Sequence, residues 1–326
     1  MKQPLKIVYM GTPDFAVAPL DALISNGYTV SAVITAPDKQ AGRGLKVNES
    51  PVKKYALSKG LKIMQPEKLK NQDFLNELKS IQPDLQIVVA FRMLPEVVWK
   101  LPASGTFNLH ASLLPQYRGA APINWAIING EKKTGVTTFF INENIDTGNI
   151  LFSEETLINP TETAGDLHDR LMIMGADLVL KTVRAIESKT CDSKPQQLIA
   201  STVAELKPAP KIFKEDCNIN WNQNTDKVFN LIRGMSPYPA AFTELISPDG
   251  SVHYIKVFHS TKEISQHNFK PGKIVTDGKT HLSIAVTDGF IHLQEVQLSA
   301  KKKMPIDLFL RGFPLNCEWK ASSIQQ

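Results

Sequence analysis

Apolar and polar positions follow a regular order through the first 190 residues. Leu5 to Met10 is a continuous apolar run closed by Gly11, the pattern of a strand covered on both faces of a parallel sheet. Phe15, Leu20, Leu23 and Ile24 then recur near helical spacing. Thr29 to Thr35 predicts the next strand, Val52 to Ser58 a helix, and Leu61 to Met64 a short strand. Phe74, Leu75, Leu78 and Ile81 mark another helix. Leu85 to Phe91, Thr106 to His110, Val136 to Ile141 and Ile150 to Ile158 predict four further strands. Ala164 to Ile186 predicts a long helix with Thr163 as its N-cap. This succession of strand, helix and strand predicts an α/β fold with a doubly wound, Rossmann-like parallel sheet.

The texture then changes. Glu187 to Pro210 is polar and contains prolines, which predicts a linker. Beyond it the apolar segments shorten: Ala241 to Ser247, His253 to Ser260, Gly272 to Val275, His281 to Val286 and Phe290 to Gln297. Turn residues at Pro248-Asp249-Gly250 and Thr287-Asp288-Gly289 separate them, and the set predicts a small β-barrel. The expected organisation is a first domain over 1–189, a linker over 190–210 and a barrel domain over 211–326.

Composition narrows the class. Hydrophobic residues make up 42% of the 326, enough for a full core. No apolar run reaches the roughly 18 residues of a membrane span. The N-terminus enters a strand without a signal-peptide cleavage pattern, so a cytoplasmic protein without a membrane partner is expected. Cys191, Cys217 and Cys317 are too few and too far apart for a metal site or a disulfide framework. Net charge is +5, and between Lys207 and Gln326 there are 15 Lys and Arg against 11 Asp and Glu. A modestly basic second half permits a polyanionic partner and equally serves solubility.

Gly11-Thr12-Pro13-Asp14-Phe15 lies where a dinucleotide fingerprint would lie, but it has one glycine followed by proline. Without the glycines that let a backbone approach pyrophosphate, a nicotinamide dehydrogenase is disfavoured. There is no phosphate-binding P-loop either. Pro13 is expected to open the first helix, with Thr12 as its cap.

Two histidines lie in the first 190 residues. His168 falls in the long helix among acidic neighbours, where a solvated position accounts for it. His110 ends the strand Thr106-Phe107-Asn108-Leu109-His110. Alternation puts Asn108 and His110 on one face, an amide beside an imidazole near the edge where α/β sheets bind ligands. Next come Ser112-Leu113-Leu114-Pro115, Tyr117-Arg118-Gly119 and Ala121-Pro122-Ile123-Asn124-Trp125, and later Asp146-Thr147-Gly148 after an apolar strand. These residues, in this order and spacing, resemble the folate-dependent formyltransferases that act on amines. That family pairs an Asn-x-His strand end with an SLLPxYRG loop and a later Asp-[Thr/Ala]-Gly. The resemblance covers at least the first 185 residues.

The resemblance implies direct attack of an amine on the formyl carbon of 10-formyltetrahydrofolate, without a covalent enzyme intermediate. Asn108 and His110 would donate hydrogen bonds to the developing oxyanion, each worth about 10²–10³-fold in rate. Asp146 would orient His110, favour its charged form and help to relay the proton. The folate would lie against Val88, Val89, Ala90, Phe91 and Leu94, with Ser112, Leu113, Leu114 and Pro115 opposite. The family commonly has Tyr-Gly after the alanine, where this chain has Phe91-Arg92.

Three features resemble the branch that formylates methionyl initiator tRNA for translation initiation. Gly11 to Val17 resembles its opening. Pro37 to Lys46 resembles a basic insertion that wedges into the acceptor arm, with Lys39, Arg43 and Lys46 as the contacts. Lys211 to Trp221, Met235 to Ala240, Lys301-Lys302-Lys303-Met304 and Phe309 to Phe313 resemble its C-terminal domain, an oligonucleotide-binding-like barrel whose lysines suit an acceptor stem. No obligatory protein partner is implied. A sugar-amine formyltransferase would share the same trio, and deletion after Pro210 would separate the two by harming only a tRNA substrate. An RNA-binding module on an inactive fold is opposed by the intact Asn108, His110 and Asp146. No metal is expected, since no Cys, His and carboxylate set has ligand spacing. A chelator should therefore leave turnover unchanged, whereas a reversible loss restored by a divalent metal would reveal a hidden site.

Overall fold

The computed structural model describes residues 5–41, 46–200 and 205–322. They fall into two compact units, each assembled from three pieces of chain. The first takes Met1–Gly119, Thr134–Thr156 and His168–Ala209, and the second takes Ala120–Lys133, Leu157–Leu167 and Pro210–Gln326.

The first unit opens with β1 (Ile7–Gly11), α1 (Val17–Ser25), β2 (Val30–Ile34), β3 (Lys39–Ala41) and β4 (Lys46–Asn48). There follow α2 (Pro51–Ser58), β5 (Ile63–Met64), α3 (Gln72–Ile81), β6 (Leu85–Val89), α4 (Glu96–Trp99) and β7 (Thr106–His110). After α5 (Pro122–Ile128), which counts with the second unit, come β8 (Lys133–Phe140), β9 (Ile150–Leu157), α6 (Ala164–Ser188) and α7 (Gln196–Ala200). The main sheet has the order β5-β2-β1-β6-β7-β8-β9. Its first five members pair in parallel, and β8 runs antiparallel to β7 with Phe107 opposite Phe140 and His110 opposite Thr137. Residues 111–132 bring the chain back to the edge it left, so the parallel run expected from the sequence ends at β7.

One face of this sheet is a core of Val8, Met10, Ala32, Ile34 and Val88 against Phe74, Leu75 and Leu78 of α3, with Leu94 and Val98. Each of these side chains larger than alanine, when fully buried, contributes about 1.5–3 kcal/mol of transfer free energy. The Asn71 side chain caps α3 by accepting from Asp73 N–H at 2.8 Å and Phe74 N–H at 3.2 Å. Thr12 does not play that part after β1. A 3₁₀ turn over Asp14–Ala16 follows Pro13, with no side-chain cap, and α1 starts only at Val17. The buried Tyr9 hydroxyl donates to Ala16 O at 2.6 Å and holds this turn against the strand. Thr163 does cap α6: its Oγ1 accepts from Asp166 N–H at 3.2 Å, and Asp166 Oδ2 accepts in return from Thr163 N–H at 2.8 Å.

The second unit contains α8 (Thr225–Met235), β10 (Ala241–Ile246), β11 (Val252–Ile264), β12 (Ile274–Thr276), β13 (Leu282–Ala285) and β14 (Gly289–Leu298), then β15 (Met304–Pro305), α9 (Ile306–Gly312) and β16 (Lys320–Ser322). The antiparallel order β12-β13-β14-β11-β10-β16 is almost closed, because Lys273 bridges to Lys320 and Ala321 N–H donates to Gly272 O at 2.8 Å. Closure leaves few free strand edges. Ile255, Val257, Ile284, Ile291 and Val296 fill the barrel, and Val228, Phe229, Ile232 and Met235 of α8 pack on the same core. The Arg233 guanidinium, pulled down in pKa by burial and supported by Glu162, donates from Nη1 to Glu162 O at 3.1 Å. That bond and the close approach of Gly165 to Pro237 explain why 157–167 belong to this unit.

At the closure, Gly272 adopts φ +85, and a Cβ there would overlap the Ala321 carbonyl oxygen. Gly272→Ala should lower stability by about 2–3 kcal/mol, read as a shift of the urea midpoint of the full chain. An unchanged midpoint would show that the closing seam is dispensable.

Candidate active site

Pairing in β7 carries Asn108 and His110 to one side of the sheet, the side shared by their partners Val88, Phe139 and Thr137. His110 is buried, and its Nε2 lies 2.8 Å from the Tyr117 carbonyl oxygen. A carbonyl only accepts, so Nε2 carries a proton. Nδ1 then faces Asp146 Oδ2 at 3.7 Å, an ion-pair distance longer than an ordinary hydrogen bond, with side-chain exposures of 7% and 13%. The same Oδ2 accepts from Gly119 N–H at 3.0 Å. Asn108 is half-buried, and its Oδ1 is buried with no hydrogen-bond partner among the described residues. Such an orphaned acceptor costs about 1–3 kcal/mol.

Two loops hold this geometry. In the first, 111–119, Thr137 Oγ1 donates to Ser112 O at 2.7 Å and accepts from Leu114 N–H at 3.2 Å, while Ser112 Oγ donates to Gln116 O at 2.6 Å. Tyr117 has φ 58, which turns its carbonyl onto His110. Gly119 has φ +127 and lies against the Ala209 carbonyl, so a side chain there has neither the torsion nor the room. The second loop, 141–149, leaves β8 beside Phe107, since Ile141 N–H donates to Thr106 O at 2.8 Å. It then folds back toward His110. Asp146 adopts φ 53, and Gly148 sits so close to the Phe140 carbonyl that a Cβ would overlap it. Leu114, Phe139 and Ile150 form a small apolar floor under both loops.

The stretch expected to be a linker contributes to the site. Lys194 pairs with Ile150 through two 2.8 Å bonds, and this delivers Gln196 beneath the second loop. Gln196 is fully buried; its Nε2 donates to Asp146 O at 2.9 Å and to Gly148 O at 2.8 Å. Its Oε1 accepts from Arg118 Nε at 3.1 Å and Nη2 at 2.6 Å. Burial pulls the Arg118 pKa down, and the charge of Asp146 opposes that shift. Farther on, Tyr117 N–H donates to Lys207 O at 2.7 Å and Ala209 N–H to Arg118 O at 2.8 Å. The roles of Gln196, Thr137, Arg118 and the Lys207–Ala209 backbone are not legible in the sequence, because single polar residues in polar stretches carry no periodic signal.

The expected folate residues divide. Val88 and Leu94 lie in the α3 core, Phe91 packs against it, and Val89 is fully buried. Ala90 is exposed with φ 47, so what this strand end offers a ligand is mainly backbone. Arg92 lashes the same loop down by donating to Glu67 O at 2.8 Å and to Pro66 O. On the opposing loop Ser112, Leu114 and Pro115 are buried and Leu113 is half-buried. Lys39 is exposed on β3, which pairs with β4 in a two-stranded hairpin. Arg43 lies outside the described residues, as does the side chain of Lys46. Asp38, at the hairpin's base, pairs with Lys53 and accepts from Gln65 Nε2 at 2.9 Å. Lys301 and Lys302 are exposed in the turn after β14, while Lys303 is paired with Glu295 at 2.9 Å and lies over the Phe258 ring. His168 rests edge-on to Phe15 and pairs with Asp169, half-buried rather than fully solvated.

Similarity to known proteins runs through both halves of the chain. The sequence profile described as "Formyl transferase" matches residues 5–183, and that described as "Formyl transferase, C-terminal domain" matches residues 211–314. A Methionyl-tRNA formyltransferase of Bacteroides fragilis is 54% identical over 323 residues, covering 99% of each chain. One of Flavobacterium johnsoniae is 49% identical over 322 residues, covering 98% of this chain and 99% of that one. Among solved structures, WlaRD, a sugar 3N-formyl transferase, superposes with a TM-score of 0.65 at 21% identity, over 92% of this chain and 100% of that one. An N-formyltransferase from Helicobacter canadensis gives 0.64 at 22%, with the same coverage. At those identities the two structures bear on the fold alone.

Proposed function

The chain belongs to the formyl transferase family and is a one-carbon group transferase, and from that premise we propose that it formylates the amino group of methionyl initiator tRNA in the cytoplasm, with 10-formyltetrahydrofolate as donor. The full-length relatives at 49–54% identity carry the name of that activity, and the match extends through both domains. The observation that carries the chemistry is the buried His110–Asp146 pair on the face of β7 that also carries Asn108.

Formyl transfer to an amine puts negative charge on the formyl oxygen and positive charge on the attacking nitrogen, which must then lose a proton. Asn108 serves the first need, its NH₂ donating to the oxygen. His110 has its Nε2 proton committed to Tyr117 O, so Nδ1 is the nitrogen that acts. In this reading Nδ1–H donates to the oxyanion when the ring is charged, and Nδ1 takes up the amine proton when it is neutral. Asp146 holds the ring in register. Direct attack needs no enzyme nucleophile. For the donor, a pterin ring would lie against the exposed Ala90 and the half-buried Leu113.

The assay that tests the reading compares charged initiator tRNA with free methionine and an amino-sugar nucleotide as acceptors. Turnover confined to the sugar nucleotide would overturn it. Asn108→Ala, His110→Ala and Asp146→Asn should each lower kcat by about 10²-fold or more, with the protein folded by circular dichroism. Near-normal turnover of a folded His110→Ala would remove the ring from the chemistry.

For the tRNA, Arg43→Ala should impair formylation strongly and leave folate binding unchanged. Neutralising Lys301 and Lys302 should flatten the dependence of tRNA affinity on salt by at most about 0.9 log units for each phosphate no longer neutralised. Neutralising Lys303 should do less, because Glu295 already pairs with it. Unchanged slopes would show that these lysines only solvate the turn.

A further inference from the structure

Gln196 lies between the two matched domains, after residue 183 and before residue 211, in a stretch whose sequence reads as a linker. We propose that Gln196 is a positioning residue of the formyl-transfer site, which sets the Asp146 carboxylate on His110 and keeps Arg118 from drawing it away. The inference rests on the function proposed above for His110 and Asp146, and concerns the residue that holds them.

The amide makes four hydrogen bonds and is fully buried. Its orientation is unique. Asp146 O and Gly148 O are carbonyls and can only accept, so both hydrogens of Nε2 point to them; the Arg118 guanidinium can only donate, so Oε1 points to it. No other standard side chain of this size offers two donors at one end and an acceptor at the other, apart from a shorter Asn. The two carbonyls flank Thr147 and belong to the segment in which Asp146 has φ 53. A left-handed residue without glycine costs about 1–3 kcal/mol and persists only when its surroundings over-determine it. Here Gln196 fixes the backbone of Asp146, and Gly119 N–H fixes its carboxylate.

Arg118 is the second group that Gln196 holds. It belongs to the loop whose Tyr117 carbonyl holds His110 Nε2, and it is close enough to Asp146 for that charge to support its protonation. Gln196 Oε1 occupies two of its donors. With that acceptor removed, a half-buried guanidinium needs another, and Asp146 is the nearby anion. The carboxylate would then turn from imidazole to guanidinium. Gln196 thus couples the His110 loop to the Asp146 loop while separating the two charges that would otherwise pair.

Gln196→Met removes all four hydrogen bonds at nearly constant volume. It should lower kcat by about 10–100-fold, as a small misplacement of reacting groups does, with KM for both substrates within about threefold. Added to Asp146→Asn, the same change should lower kcat by less than about threefold further, since residues acting through one another are not additive. Gln196→Glu keeps the acceptor for Arg118 but has no N–H at neutral pH. Its turnover relative to wild type should be low at pH 8 and rise as the pH falls, when the introduced carboxyl gains a proton to donate. If Gln196→Met does not fold, this pH dependence carries the test alone. A kcat within threefold of wild type in folded Gln196→Met, a loss expressed only in KM, full additivity with Asp146→Asn, or wild-type turnover of Gln196→Glu at pH 8 would each overturn the proposal. The ratios are taken on whichever amine the wild type formylates, so the wild type's own substrate preference decides the function separately. The ¹⁵N shift of His110 Nδ1 in the free protein should also move in Gln196→Met, which tests the coupling without any turnover.

Discussion

The imidazole of His110 is held between a carbonyl and a carboxylate, and the architecture of the first unit serves that clamp. The Tyr117 carbonyl leaves Nε2 no choice but to carry a proton, so the ring presents Nδ1 to Asp146. Both partners stand on left-handed backbone, Tyr117 at φ 58 and Asp146 at φ 53. Conformations of this kind are unfavourable by themselves, and they are offset by hydrogen bonds from elsewhere in the chain. Lys207 O takes Tyr117 N–H, Gln196 takes the Asp146 carbonyl, and Gly119 N–H takes its carboxylate. The neighbouring glycines tolerate the close backbone approaches that result.

The antiparallel return of β8 is what obliges the second loop of the clamp to fold back. In a wholly parallel sheet the loops after β7 and β8 would leave from the same edge. Here the 141–149 loop leaves beside Phe107 and must fold back over Phe139 to bring Asp146 to His110. The folding back buries two carbonyls, and these are the groups that a polar residue from the 190s satisfies. A polar connecting segment thereby becomes part of the site. Bridges from Lys194 to Ile150 and from Ala209 to Gly119 stitch its two ends to the same unit.

The second unit solves a different problem. Its sheet is nearly closed, with Lys273 meeting Lys320 across the seam, and Lys301 and Lys302 stand on a turn where they do not disturb the core. Binding to phosphate needs charge and position more than it needs a fixed chemical constellation. The Lys301–Lys303 turn shows both possibilities at once, with two exposed ammonium groups and a third engaged by Glu295.

Much of this protein follows from the sequence alone. Apolar runs and their periods determined that the first half is an α/β sheet and the second a barrel, because burial on a sheet or helix face writes period 2 or 3.6 directly into the chain. The Asn-x-His spacing determined that Asn108 and His110 share a face, since strand alternation is local. Local rules also carried the Thr163 cap, although they failed at Thr12, where the backbone enters a 3₁₀ turn instead of a capped helix. Tertiary structure decided the direction of β8, which depends on where a crossover returns and leaves no mark in periodicity. It also decided that Val88 and Leu94 serve the α3 core and that Lys303 is already paired. Above all it decided the role of Gln196. A hydrogen bond between residues 50 positions apart requires only that two loops end up adjacent, and a lone glutamine in a polar stretch reads in sequence as solvent-facing.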